Sequence, residues 1–221
     1  MNINERIRPI VKKEWLLFRR EGAVKWILIG LLLTLGLQVI YILNDVETSK
    51  VVGAFMSMLL AFGFITTASP LIVAGEKESG TLEVLLTEAT SREVFWSKVL
   101  FVSIIPLLIT TISFIIALLT MVFTGIWLEA IVFYASVCLT ILTLAITGVI
   151  ASAKSKSIME AYQLSRQTFI LPAIPMTAVM LAMLNAPNLI AIPFILQIAL
   201  FVGIYKIGVR KFEDVERLVY S

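Results

Sequence analysis

The chain has 221 residues, 59% of them hydrophobic and only 15% charged, with a formal net charge of +3, one cysteine and no histidine. An ordinary soluble domain carries about 25% charged residues, so this composition excludes that class. The missing histidine removes the commonest metal ligand, and the lone Cys138 removes an intrachain disulfide; no metal site is expected. There is no G-x-x-x-x-G-K-[ST] phosphate loop, so no ATP hydrolysis by that route is expected of the chain, and it is not read as an enzyme.

Residues 9–22 open the chain's patterning. Pro9 suits a first helical turn. Ile7, Val11, Trp15 and Phe18 follow helical spacing, while Lys12, Lys13, Arg19 and Arg20 carry charge elsewhere. The pattern predicts a helix lying at the membrane interface, its apolar face in the headgroup boundary and its cations in water or on anionic lipid. The plainer alternative is a basic flank that only sets topology. No A-x-A-like exit follows the first apolar stretch, which reads as a retained span rather than a cleaved leader.

Five stretches then lack Asp, Glu, Lys and Arg altogether: 26–44, 51–75, 99–128, 130–153 and 167–205. About 20 apolar helical residues cross a hydrocarbon core, and the last stretch is long enough for two crossings. Six spans are predicted near 26–43, 51–75, 99–123, 130–153, 167–184 and 189–205, in a single all-α membrane domain covering 1–221. The final pair could instead include a re-entrant segment, since both halves are barely long enough to cross; Pro172, Pro175 and Pro193 could mark a gate, though Pro is common in membrane helices. Small-residue stripes (Gly30, Thr34, Gln38; Gly53, Ser57, Ala61) mark close helix approach in the first two spans. In the fourth, Ser136, Thr140, Thr143 and Thr147 share one face. They are candidate pathway-lining residues, although hydroxyls of this kind more often serve helix packing. The tail 206–221 reads as a short helix or an extension of the sixth span.

Basic residues are distributed unevenly about these spans. Seventeen fall in the N-terminal segment, the loops after spans two and four, and the tail; only Lys50 falls on the other side. The positive-inside rule therefore places both termini and the 76–98 loop in the cytoplasm of a plasma-membrane protein.

That loop is patterned. Glu76, Lys77 and Glu78 end the second span, and Ser79-Gly80 permits a sharp turn. Thr81 is placed to cap a short helix whose apolar face is Leu82, Leu85 and Leu86. Thr90 and Glu93 then stand at capping-box spacing before Val94-Phe95-Trp96, which starts the helix into the third span. A short helix with apolar and acidic features on the cytoplasmic side suits docking of a cytoplasmic partner.

The run Glu76-Lys77-Glu78-Ser79-Gly80-Thr81-Leu82-Glu83-Val84-Leu85-Leu86, followed by Ser91-Arg92 and Lys98, resembles the permease subunits of ABC-2-type transporters. In that family an E-x-x-x-G-T-L-E-x-L-L run follows the second of six spans, and a G-K enters the third. The layout matches over the whole chain, the specific residues over about 76–98. Two departures stand out: many members carry Pro where Ala89 or Thr90 stands, and Gly where Ser97 stands.

The resemblance implies a homo- or heterodimer of permeases bound to two separate ATPase subunits, which hold the ATP and Mg; this chain would hold no cofactor and bind no nucleic acid. It further implies ATP-driven export of an amphiphilic, peptide, drug or lipid-like substrate. Glu76, Glu78, Gly80, Thr81, Leu82, Glu83 and Leu86 would form the ATPase-coupling element. The charge-free spans agree that energy comes from outside, because ion-coupled carriers usually keep ionisable groups in the membrane. The alternatives are a non-transporting scaffold or immunity-type protein and, further off, a secondary carrier.

Overall fold

The computed structural model describes residues 62–66, 68–69, 72–119 and 127–219, with isolated helical positions between 29 and 43; side chains are described except at 83, 88, 184, 187 and 213–219. The predicted interfacial helix with Lys12, Lys13, Trp15, Phe18 and Arg19 lies outside the described residues, as do the two small-residue stripes of the first spans.

Among the described residues every regular element is helical and no strand occurs. After helical residues 72–78 come α1 (Thr81–Glu88), α2 (Ser91–Leu119), α3 (Trp127–Lys154), α4 (Ile158–Asn185), a 3₁₀ turn at Pro187–Leu189 and α5 (Ala191–Val219). Among the described residues four segments are long and apolar enough to cross a membrane: Ser91–Leu119, Trp127–Lys154, Ile158–Met183 and Ala191–Phe212. At 1.5 Å per residue, the 29 residues of α2 measure about 43 Å, more than a hydrocarbon core. The excess is polar sequence at one end.

The region 167–205 therefore folds as parts of two long helices joined by a tight turn. Pro172 and Pro175 sit inside α4 without ending it. The α5 helix runs on to Val219, so the tail continues the helix that holds the last predicted span.

The α3 helix is the hub, packing against α2, α4 and α5. Its buried side is small or branched: Ala130, Val137, Ile141, Ala145, Gly148 and Val149. At the far end from the charges, the rings of Phe114 and Tyr134 stack at 4.4 Å, and Thr111 hydrogen-bonds the Tyr134 hydroxyl at 2.9 Å. At the charged end Phe95 packs on Phe212 (5.3 Å) and Trp96 on Tyr205 (5.5 Å), tying α2 to α5.

Two glycines set close approaches. A Cβ on Gly148 would lie 2.0 Å from Ser69 Oγ, and one on Gly208 would lie 3.0 Å from Ile146 and Ile150. In lipid, where apolar burial gives no net driving force between helices, contact at this range supplies the dispersion attraction that holds them together.

Candidate functional site

Residues 73–78 are fastened at four points. First, Glu76 Oε1 lies 2.5 Å from the Lys98 ammonium; Lys98 is fully buried and the Glu76 side chain 9% exposed. Second, the neighbouring Lys77 ammonium donates to the carbonyls of Ala153 and Ser155, where α3 ends. Those carbonyls lack intrahelical donors and carry the negative end of the helix dipole, which suits a cation. Third, Glu78 Oε1 accepts the Ile158 N–H at 2.9 Å, so an acidic group caps the positive N-terminus of α4. Fourth, the Ser152 hydroxyl oxygen accepts from the backbone N–H groups of Val73 (3.1 Å) and Ala74 (2.8 Å).

Alternate residues thus serve different neighbours. Glu76 reaches α2, while Lys77 and Glu78 reach the loop between α3 and α4. That loop has its own brace: Ser157 caps Glu160 N, and Glu160 accepts the Lys156 N–H at 2.7 Å. Burial lowers the Lys77 pKa from the usual lysine value, opposed by the charge of Glu160.

Gly80 then reverses the chain with φ 68° and ψ 9°, the left-handed region that favours glycine. It is the N-cap residue of α1, with no side-chain cap. Thr81 does not cap the helix as expected. Its hydroxyl turns back to Ser79 Oγ (2.9 Å) and the Glu76 carbonyl (3.5 Å), because the left-handed Gly80 already takes the cap position.

The apolar face read from the sequence points inward: Leu82, Leu85 and Leu86 are all buried. Thr81, Val84 and Thr87 form the outward face, Val84 at 59% exposure. The Glu83 side chain lies outside the described residues. Ala89 leaves α1 in an extended conformation, and the expected capping box starts α2. Glu93 Oε2 accepts the Thr90 N–H at 3.0 Å, and Thr90 Oγ1 accepts the Glu93 N–H at 3.4 Å.

The predicted coupling residues therefore divide. Glu76, Leu82 and Leu86 face the protein itself; Glu78 and Gly80 are exposed at the turn, and Thr81 is exposed beside them. The sequence reading missed the inner partners Lys98 (as a pair for Glu76), Ser152 and Glu160. A lysine just ahead of an apolar run was the one legible signal.

The hydroxyl stripe of α3 is buried along its length. Thr140, Thr143 and Thr147 donate back to the carbonyls of Ser136, Leu139 and Leu144. Ser136 donates to Gln197 Oε1 on α5 (2.5 Å), and Gln197 Nε2 donates to Ser136 O (2.7 Å) and Thr140 Oγ1 (2.5 Å). Thr140 also lines a cavity of about 400 Å³ between helical residues 62–66, α3 and α4. Gln197 was not singled out from the sequence, though one amide in the otherwise apolar run 189–205 is itself a signal of interhelical hydrogen bonding.

These features define a helical protein of the membrane class, with a buried, braced polar knot at one end. No family model, curated protein or solved structure matches the chain.

Proposed function

We propose that the chain is the membrane subunit of an ATP-driven exporter of the ABC-2 type, with six spans, both termini and the 76–98 loop cytoplasmic, and an amphipathic interfacial helix ahead of the first span. It works as a pair of permeases with two copies of a separate ATPase subunit, in the plasma membrane. The observation that carries this reading is the mounting of α1. A short helix with an exposed outer face sits on a glycine turn, and the residues just before that turn are fastened to α2, α3 and α4 at once. A mere connector does not need such bracing, whereas an element that passes force from a partner into several spans does.

In this reading Glu78, Gly80, Thr81 and the outward Val84 and Thr87 meet the ATPase. Glu76, Leu82 and Leu86 hold the element in place. When ATP binding moves the docked α1, the Glu76–Lys98 pair carries the displacement to α2. The Lys77 and Glu78 contacts carry it to the α3–α4 loop. No charge needs to move through the membrane.

Two measurements test this. Single cysteines replacing Ser79 and Lys156 in a Cys138→Ala background resist an impermeant thiol reagent in intact cells, while one replacing Glu47 reacts. Purification in mild detergent recovers a separate ATPase subunit, whose hydrolysis responds to substrate. Labelling of position 79 from outside sinks the topology and the coupling role together. Transport by the purified chain alone on an ion gradient replaces the reading with a secondary carrier.

A further inference from the structure

The cavity beside Thr140 has a chemistry of its own. Its floor is Thr140, Leu144 and Met176, all buried, and its mouth lies at the exposed Gly63 and Thr177. Phe169 and Met180 complete the walls from α4. At about 400 Å³ it falls within the range of small-molecule sites, about 300–1,000 Å³.

Among the described residues no charged side chain lines it, and its three threonines offer it no free proton. Thr66 donates to the Gly63 carbonyl, Thr140 to Ser136, and Thr177 to Ala173 and Ile174. Each hydroxyl proton is turned back on its own helix, so these threonines can only accept, which repays an anionic or acceptor-rich headgroup poorly for its lost water. Apolar space of this kind stays dry and takes apolar ligands. Methionine walls adapt to a chain of variable shape. The cavity also lies within the apolar stretches of α3 and α4, two of the helices long and apolar enough to cross a hydrocarbon core.

We propose that this cavity is a binding site for the alkyl chain of an amphiphile, recognising the chain and leaving the headgroup outside. It rests on the exporter reading only for what becomes of the ligand; binding itself needs no ATPase.

The test uses the full chain, purified without any ATPase, in nanodiscs. One arm carries palmitic acid with a mid-chain diazirine, and the other carries phosphatidylcholine bearing the same chain. Photolabelling is expected on Phe169, Met176 or Met180 in at least one arm. The fatty-acid arm alone identifies a single-chain amphiphile; labelling in both includes bilayer lipid. Gly63→Leu should cut this labelling at least fivefold, because a Cβ there meets nothing within 4 Å and the side chain has open space to fill. Ala173→Phe fills the cavity from the opposite wall and should do the same. Labelling at Leu196, which is 61% exposed on α5, should not change in either variant.

Cavity labelling no stronger than at Leu196, or unmoved by both variants, overturns the proposal. Cavity labelling, together with no ATPase subunit recovered in the mild-detergent purification, sinks the exporter reading alone. Substrate-stimulated ATP hydrolysis with no cavity labelling sinks the alkyl-chain site alone.

Discussion

Lys98 and Glu76 meet at 2.5 Å with the ammonium wholly buried, joining the end of one apolar stretch to the start of the next. A buried ion pair adds little net stability, because desolvation offsets attraction. Removing one partner is different: it strands a charge and costs about 3–5 kcal/mol. Glu76→Ala and Lys98→Met should therefore each lower thermal stability in detergent, and the double Glu76→Leu/Lys98→Met variant should recover most of the loss. If the pair also carries motion, the double variant folds yet loses substrate-stimulated ATP hydrolysis. Additive losses across the cycle would mean that the two side chains act independently.

Gly80 sits at φ 68°, where a β-branched residue is strained by about 1–3 kcal/mol. Gly80→Val should displace α1, and Gly80→Asn should largely preserve it, since asparagine tolerates this region. Co-purification of the ATPase is the readout. Equal recovery with Val and Asn would separate the turn from partner binding.

The contact between Gly148 and Ser69 leaves no room for a methyl group, with Ser69 Oγ 2.0 Å and Ser69 Cβ 2.4 Å from the position a Cβ would take. Gly148→Ala should separate the two helices and lower stability by about 1–3 kcal/mol, the usual cost of overpacking. Ser69→Gly in the same chain should restore it. Ser69→Ala should not, because its own Cβ still clashes. A melting curve of each variant decides the matter.

Gln197 joins α5 to α3 through three hydrogen bonds, two to Ser136 and one to Thr140. Interhelical bonds in bilayers are worth about 0.6–2 kcal/mol each. Gln197→Leu should loosen α5, raising hydrogen exchange near Ile204 more than near Ile146. Ser136→Ala should give a smaller effect in the same direction. Uniform exchange across both helices would argue that packing alone holds α5.

The helical class, four of the spans and the glycine turn were legible because each rests on local chemistry. An apolar run without charges has to satisfy its backbone within a helix. A glycine between charged residues and a leucine-rich run marks a turn. The Thr90–Glu93 box was readable for the same reason, since both partners lie within one turn. Tertiary structure alone decided which face of each element points inward. Glu76 and Glu78 are chemically alike in the sequence, yet one is buried on Lys98 and the other caps α4, 80 positions along. Leu82 and Leu86 could have faced a partner or the core; packing beneath α1 put them in the core. The hydroxyls of α3 read as one polar face, but back-bonding and Gln197 satisfy them, and Thr140 borders a cavity. Composition settles that a chain must enter the membrane, whereas burial of a particular side chain depends on which distant segment arrives to cover it.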